Sequence, residues 1–394
     1  MRISAVMNKD ALRIGIACFP LIGGSGILAS ALGSELARRG HEVHFFSYAR
    51  PVRLEMSQER LHFHLVELAH HTLFPCPDYT LPLAVKMAEV ASTVSLDIIH
   101  AHYAVPNALA AVLAAQMSGA SPRIITTLHG TDTTLLGQDP AYRTAIEYAV
   151  ARSNAVTAVS ESLREQTREI LQVSRDIEVI PNFFIPRPAA RKREEVRAEL
   201  GLHDEFLILH MSNMRPGKRI DLLLQSFAAM RMRERSRLLI LAGEPVQPYD
   251  EMIDSLGLRK QTIIRQNEAA VEEFIAAADA GLYTSDYESF GLSILETLYF
   301  GKPIVAFDVG GVPEVAGDGY PLYPFPRFDS LAAAMDNLVE SPGLARSLGE
   351  QGRKHVLNKF SAGKIVERYE TLYRETLHAA AATEQQTGRV NGAR

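Results

Sequence analysis

Short apolar runs rich in β-branched residues alternate with longer stretches of helical periodicity along most of the chain. The first half contains six such runs, at residues 13–19, 42–48, 96–102, 123–129, 155–160 and 177–182. The second half contains five, at residues 206–212, 237–243, 262–266, 280–285 and 303–308. Strands that alternate with helices form parallel sheets, so the pattern predicts an α/β fold with two doubly wound domains.

A segment rich in proline and charge, residues 183–202, interrupts this alternation. We therefore predict a first domain over residues 12–185 and a second domain over residues 196–360. The helical run at residues 361–379 is expected to pack back on the first domain. Residues 380–394 are polar and aperiodic, which predicts a disordered tail. Loops at the carboxyl ends of parallel strands bind ligands, so two such domains facing each other predict a binding cleft between them.

Composition narrows the class of protein. The 394 residues carry a formal net charge of −5, which argues against nucleic acid as the main partner. The two cysteines, Cys18 and Cys76, form no disulfide framework, and we expect a cytoplasmic location. No apolar run approaches the roughly 20 residues of a membrane helix, so no membrane partner is expected. The sequence leaves the oligomeric state open, and a homo-oligomer is one of the alternatives.

The stretch ESFGLSILE, residues 288–296, follows a predicted strand and opens a predicted helix. Glu288 then lies in the loop at the carboxyl end of that strand. The amides of Phe290, Gly291 and Leu292 lie at the helix start, where backbone N–H groups and the helix dipole favour an anion. Glu296 lies about one turn further, where a carboxylate accepts hydrogen bonds from ribose hydroxyls. Single glutamates at helix starts are often capping residues, but this combination is less common.

Two other loops predict anion sites. The loop GGSG includes Gly24 and separates the first strand from a helix, although its spacing is not that of a dinucleotide-binding loop. Arg215, Lys218 and Arg219 follow a strand directly, as the cations of a phosphate site would. A plain turn and a solvated basic loop are the alternative interpretations.

Polar residues also follow two strands of the first domain. His129 and Thr131 lie after one strand, and Tyr103 lies after the strand before it. We expect only one of His100 and His102 to face the cleft. The sequence contains no HExxH motif, no Cys/His cluster and no DxD motif, so no built-in metal is expected.

These motifs resemble those of the retaining GT-B glycosyltransferases of family 4, for which the Glu-x7-Glu element is a hallmark. The resemblance extends from about residue 13 to residue 374 and includes LDIIHAHYAVPNA, TTLHGTD, SNMRPGKR and GGVPEV. It implies two Rossmann-like domains and a hexosyltransferase dependent on a UDP-sugar. The first-domain stretches are similar to those of the subgroup that begins bacillithiol biosynthesis. They imply UDP-N-acetylglucosamine and L-malate as the small-molecule substrates.

The resemblance also implies roles for individual residues. The implied catalytic residues are His129, Arg215, Lys218 and Glu288. The implied donor-binding residues are Gly24, Asn213, Phe290, Gly291, Leu292 and Glu296. The implied acceptor-binding residues are Ser25, Tyr103 and Thr131. No cofactor and no metal ligand are implied, although a loosely bound divalent cation at the diphosphate stays open.

Some positions depart from the family pattern. Asn213 stands where arginine is frequent, AGEP at residues 242–245 replaces a GDGP element, and Gln266 stands where glycine is usual. The last two departures leave the nucleotide base open. A transferase with a lipid or polysaccharide acceptor, a UDP-sugar epimerase and a non-catalytic nucleotide-sugar binding module remain alternatives. Arg53 and Lys86 are candidate partners for the malate carboxylates or ordinary surface charges.

Overall fold

The computed structural model describes residues 11–20, 24–68 and 78–391, with side chains described up to residue 379. Gly23 and Cys76 lie outside these residues. The chain divides into two compact units, Met1–Pro181 with Ala362–Arg394, and Asn182–Ser361. In the part of the chain that the structure describes, no helix is long and apolar enough to cross a membrane.

The described residues of the first unit form a seven-stranded parallel sheet, in the order β3-β2-β1-β4-β5-β6-β7. The strands are β1 Arg13–Ala17, β2 Glu42–Ser47, β3 Leu61–Leu65, β4 Ile98–His102, β5 Arg123–Leu128, β6 Ala155–Ala158 and β7 Glu178–Val179. The first six helices are α1 Gly24–Arg38, α2 Thr80–Val94, α3 Leu109–Ser118, α4 Thr131–Thr134, α5 Pro140–Arg152 and α6 Glu161–Leu171.

The second unit, which is described throughout, contains a five-stranded parallel sheet in the order β10-β9-β8-β11-β12. Its strands are β8 Phe206–Ser212, β9 Ser236–Ala242, β10 Thr262–Gln266, β11 Ala280–Tyr283 and β12 Ile304–Ala306. Its helices are α7 Arg193–Glu199, α8 Ile220–Ala229, α9 Asp250–Ser255, α10 Val271–Ala277, α11 Leu292–Tyr299, α12 Val312–Ala316, α13 Phe328–Glu340 and α14 Pro342–Lys359.

The last helix, α15 Ala362–Asn391, belongs to the first unit. Tyr369 and Tyr373 are fully buried, and the Tyr373 hydroxyl lies 2.7 Å from Nδ1 of His100 on β4. Glu370 accepts from Arg39 at 2.5 Å and lies 2.8 Å from Nε2 of the buried His41. The helix continues beyond residue 380, where a disordered tail was predicted. Its alanine-rich sequence after His378 favours continued helix, because alanine has the highest helix propensity.

The predicted α/β class with two parallel-sheet domains is confirmed. One strand was missed, β3, whose sequence LHFHL places a histidine at every second position. It lies at the edge of the sheet beside β2, where only one neighbour is available. Polar side chains are tolerated on an edge strand, and they hid the apolar signal by which the other strands are found.

Candidate active site

Lys218 and Glu288 form the centre of the candidate site in the second unit. Lys218 ends the short turn Pro216–Lys218 after β8, and Glu288 lies in the loop after β11. Lys218 Nζ donates to Glu288 Oε1 at 2.5 Å, and Ser285 Oγ donates to the same oxygen at 2.7 Å. Both side chains of the ion pair are mostly buried, at 25% and 17% exposure. The structure therefore brings together two residues that lie 70 positions apart in the sequence.

Hydrogen bonds to backbone carbonyls hold the Lys218 loop and the Glu288 loop against each other. Thr284 Oγ1 donates to the carbonyl of Lys218 at 3.0 Å, and the Asp286 amide donates to the Gly217 carbonyl at 3.0 Å. Neither Thr284 nor Ser285 was assigned a role from the sequence. Their hydroxyls are positioned by β11 and its loop, and a hydroxyl residue in a loop gives no distinctive sequence signal.

A third loop fixes the backbone of Glu288 from the other side. The Gly311 amide donates to the Glu288 carbonyl at 2.8 Å. Gly310 has a φ of +54°, and a Cβ atom at this position would overlap the carbonyl of Glu288. The close approach and the left-handed backbone together require glycine. The predicted GGVPEV loop thus supports the site through its backbone.

The start of α11 places the rest of the Glu-x7-Glu element. Gly291 has a φ of +93° and precedes Leu292, the first helical residue. The Phe290 ring is buried and packs edge-to-face on Phe360 at 5.4 Å, so its side chain anchors the start of the helix. Glu296 lies about one turn into the helix and is half-buried. Helix α11 has eight residues, and its N-terminal amides favour a bound anion.

Arg215 lies apart from the Lys218–Glu288 pair. Its side chain is 56% exposed, and Nε lies 3.4 Å from Oε1 of Glu244. Glu244 belongs to the AGEP element that departs from the family pattern. Asn213 accepts from the Arg215 amide at 3.5 Å, so its side chain supports the turn in this structure. Gln266 is exposed at the end of β10.

Three histidines stack in the first unit. The rings of His100 and His102 lie 4.5 Å apart, and those of His102 and His129 lie 5.2 Å apart. His102 Nδ1 is 2.9 Å from His129 Nε2, and His100 Nε2 is 2.7 Å from the hydroxyl of Thr127. The prediction that only one of His100 and His102 faces the cleft assumed that their side chains lie on opposite faces of β4, and the stacked rings show that this assumption was wrong. Residues two apart in a strand point to the same face.

Burial keeps these histidines neutral. It lowers the pKa of His100 to about 3 and the pKa of His102 well below its ordinary value. It also lowers the pKa of His129 to about 3. The His129 imidazole is therefore neutral near pH 7. A neutral imidazole is better suited to a hydrogen-bonding role than to the role of a cationic acid.

Asp132 fixes the position of His129. The carboxylate is fully buried, and its two oxygens accept from the amides of Ala104 at 2.7 Å and His129 at 3.2 Å. Burial raises the pKa of Asp132 to about 6, against the opposing effect of these hydrogen bonds. The side chain thus joins the loops that follow β4 and β5.

The predicted acceptor residues lie at several places in the first unit. The Tyr103 ring centroid is 5.0 Å from that of His129 and 5.6 Å from that of Phe19, and Tyr103 has a φ of +82°. Thr131 begins α4 and is half-buried. Gly24 and Ser25 begin α1 and are also half-buried, with the loop before them outside the described residues.

The two candidate cations for malate lie elsewhere on the first unit. Lys86 is on α2 and pairs with Glu89 at 2.7 Å. Arg53 is half-buried between β2 and β3.

Comparisons with known proteins place the chain in a family. Residues 22–186 match the family model Glycosyltransferase Family 4, and residues 192–355 match Glycosyl transferases group 1. The chain is 38% identical over 371 residues to N-acetyl-alpha-D-glucosaminyl L-malate synthase of Bacillus anthracis, covering 93% of this chain and 97% of the relative. The chain belongs to the GT-B glycosyltransferases.

A second relative of this glycosyltransferase is more distant. It is 25% identical over 248 residues to alpha-D-kanosaminyltransferase of Streptomyces kanamyceticus, covering 60% of this chain and 64% of the relative. The solved structure of Anabaena HepE in complex with UDP and glucose has a TM-score of 0.78 and 19% identity, covering 92% and 99% of the two chains. This likeness shows the shared fold.

Proposed function

We propose that this glycosyltransferase transfers N-acetylglucosamine from UDP-N-acetylglucosamine to the hydroxyl of L-malate, with retention of the α configuration, as the first step of bacillithiol biosynthesis. One observation carries the proposal. The relative named for this reaction is 38% identical over 93% of this chain, and 97% of its own length is covered. The match therefore includes the first unit, which the proposal makes responsible for the acceptor.

The second unit is proposed to bind the donor. Lys218 and the amides that begin α11 would stabilise the diphosphate, on which negative charge builds as the sugar leaves. Lys218 holds Glu288 in the structure, so a bound diphosphate would compete with Glu288 for the ammonium group. Glu288 would then accept hydrogen bonds from sugar hydroxyls, and Glu296 would accept them from the ribose. Arg215 would have to leave Glu244 to reach a phosphate.

The first unit is proposed to bind malate. Ser25, Tyr103 and Thr131 would supply polar contacts, and the start of α1 at Gly24 would offer backbone amides to an anionic group. His129 would donate or accept a hydrogen bond as a neutral imidazole. Asp132 would act through His129 by fixing its backbone.

Attack on the face that the leaving group vacates accounts for retention without a protein nucleophile. The bond from the anomeric carbon to the phosphate oxygen breaks, and a bond from that carbon to the malate hydroxyl oxygen forms. The hydroxyl proton passes to the leaving phosphate, so the products are the α-glycoside and UDP. Glu288 accepts hydrogen bonds from Lys218 and Ser285. These contacts favour a role as hydrogen-bond acceptor for a sugar hydroxyl over a role as nucleophile.

The test is an acceptor comparison by mass spectrometry. The purified chain is incubated with UDP-N-acetylglucosamine and either L-malate or succinate, which has both carboxylates and no hydroxyl. We expect a glycoside and UDP to form with L-malate and not with succinate. We also expect the reaction to continue when EDTA is added. Release of UDP and free sugar at the same rate with either diacid would contradict malate as the acceptor.

A further inference from the structure

A cluster of histidine and glutamate side chains lies on β2 and β3, away from the loops of the candidate active site. Parallel pairing places His44 opposite His62 and Phe46 opposite His64. Nε2 of His44 lies 3.5 Å from Oε1 of Glu42, and Nε2 of His62 lies 3.4 Å from the same oxygen. The three prospective ligand atoms lie within 4.8 Å of one another.

His44 is the most informative member of this cluster. Its side chain is only 3% exposed, yet Nε2 has no hydrogen-bond partner. Its other nitrogen, Nδ1, lies 2.9 Å from Nε2 of His64. If Nδ1 carries the proton and donates to His64, Nε2 carries a lone pair that no donor satisfies, 3.5 Å from Oε1 of Glu42. A buried nitrogen without a partner is costly, and a bound cation would satisfy it.

We propose that Glu42, His44 and His62 bind one divalent transition-metal ion, with Zn²⁺ the best fit. Zinc bonds to imidazole and carboxylate are about 2.0–2.2 Å long, and ligands around a tetrahedral ion at these lengths lie about 3.3–3.5 Å apart. The two separations from Oε1 of Glu42, 3.4 Å to His62 and 3.5 Å to His44, match this spacing. The set of two imidazoles and one carboxylate is one that zinc accepts.

The surroundings support the same ligand set. Metal-binding histidines usually donate their second ring N–H to a partner that fixes the ring, and His64 is in that position for His44. His62 and Glu42 are 40% and 33% exposed, which leaves a fourth position open to water.

The site is remote from the proposed chemistry. Glu42 is the first residue of β2, so the cluster begins at the amino end of the strands, whereas His129 and Thr131 follow the carboxyl end of β5. A bound ion would therefore link the edge strand β3 to β2. The sequence predicted no built-in zinc site because the ligands belong to no local motif. Strand pairing brings together residues that are 18 or 20 positions apart.

The test uses the full-length chain after removal of metal by a chelator. Calorimetric titration with Zn²⁺ should show one site per chain, and Co²⁺ should give the strong visible absorption of a four-coordinate complex. Glu42→Gln and His62→Ala alter partly exposed side chains and should each weaken Zn²⁺ binding at least tenfold. His203→Ala, at an exposed histidine of the second unit, is the matched control and should bind as the parent does.

Two results would overturn the proposal. One is the absence of stoichiometric Zn²⁺ binding by the parent chain. The other is binding that Glu42→Gln and His62→Ala leave unchanged, which would place the ion at another group such as the stacked histidines. Circular dichroism of each variant separates a lost ligand from a lost fold.

Discussion

At the scale of single residues, the Lys218 ammonium is the cation that the structure places at the centre of the second unit's site. It lies 2.5 Å from Glu288 and directly precedes Arg219, whose guanidinium is held by Asp221 at 2.7 Å. A bound diphosphate would meet an ammonium that is already oriented. Preorganised charge of this kind lowers the barrier because no reorganisation is needed during reaction.

Lys218→Met should therefore lower kcat for glycosyl transfer by about 10²–10³, the usual effect of removing one such group. Lys260→Met removes an exposed lysine of the same unit and should leave kcat within a factor of two of the parent. Steady-state kinetics of both variants makes the comparison. Comparable activity of the two variants would remove Lys218 from the catalytic set.

Gly310 gives a second prediction at the residue scale. Gly310→Ala would place a methyl group against the carbonyl of Glu288 at a φ of +54°, so the Glu288 loop should shift and transfer activity should fall. The strained backbone should also cost about 1–3 kcal/mol of stability. Gly343→Ala is the control, because a Cβ atom there meets nothing within 4 Å. Activity assays and thermal unfolding of both variants test this prediction. Equal activity and equal stability of the two variants would contradict the close contact between Gly310 and the Glu288 carbonyl.

At the scale of elements, the loops after β4 and β5 depend on one buried carboxylate. Asp132→Asn replaces one acceptor oxygen by an NH₂ group that faces a backbone N–H. The expected loss is about 1–3 kcal/mol of unfolding free energy, the cost of an unsatisfied buried donor. Asp139→Asn is the matched control, since Asp139 is exposed and its carboxylate accepts from the Ala141 amide at the start of α5. Asparagine caps helices about as well as aspartate.

Denaturant unfolding compares these two variants with the parent. Equal stability of all three proteins would show that Asp132 does not hold the loops together. A loss of malate-dependent activity without a loss of stability would instead indicate that Asp132 positions His129 without stabilising the loops.

The sequence predicted most elements because their physical signals are local. Buried parallel strands such as β8, FLILHMS, are nearly continuous apolar runs, and their loops follow directly. The Lys218 and Glu288 loops were found for the same reason. Features that depend on pairing across the fold were missed: the edge strand β3, the shared face of His100 and His102, and the pairing of Arg215 with Glu244. No local pattern encodes these contacts.

At the scale of the whole molecule, buried histidines make stability depend on pH. Among the described residues, burial is the largest cause of a lowered pKa at six histidines: His44, His64, His100, His102, His129 and His210. Their ordinary pKa is 6.5, so below that value the unfolded chain binds protons that the folded chain does not. The stability they contribute is present above pH 6.5 and is lost as the pH falls.

Each such histidine costs about 1.4 kcal/mol per pH unit in the window where only the unfolded chain is protonated. Asp132 acts in the opposite direction, because its raised pKa favours the protonated form in the folded chain. Because the six histidines outweigh Asp132, the free energy of unfolding should be lower at pH 5.5 than at pH 7.5 by at least about 2 kcal/mol. The midpoint of urea unfolding should therefore be lower at pH 5.5. Circular dichroism follows the transition, and an equal or higher midpoint at pH 5.5 would contradict the neutral histidines.

We propose that this glycosyltransferase moves N-acetylglucosamine to the malate hydroxyl with retention of configuration. Proton NMR of one reaction mixture tests it most directly, because the anomeric proton reports the configuration and the malate C2 proton reports the new bond. We expect loss of UDP-N-acetylglucosamine and growth of a single α-glycoside, with the C2 resonance of malate displaced in equal amount. A β-glycoside, or free N-acetylglucosamine with an unchanged malate resonance, would contradict it.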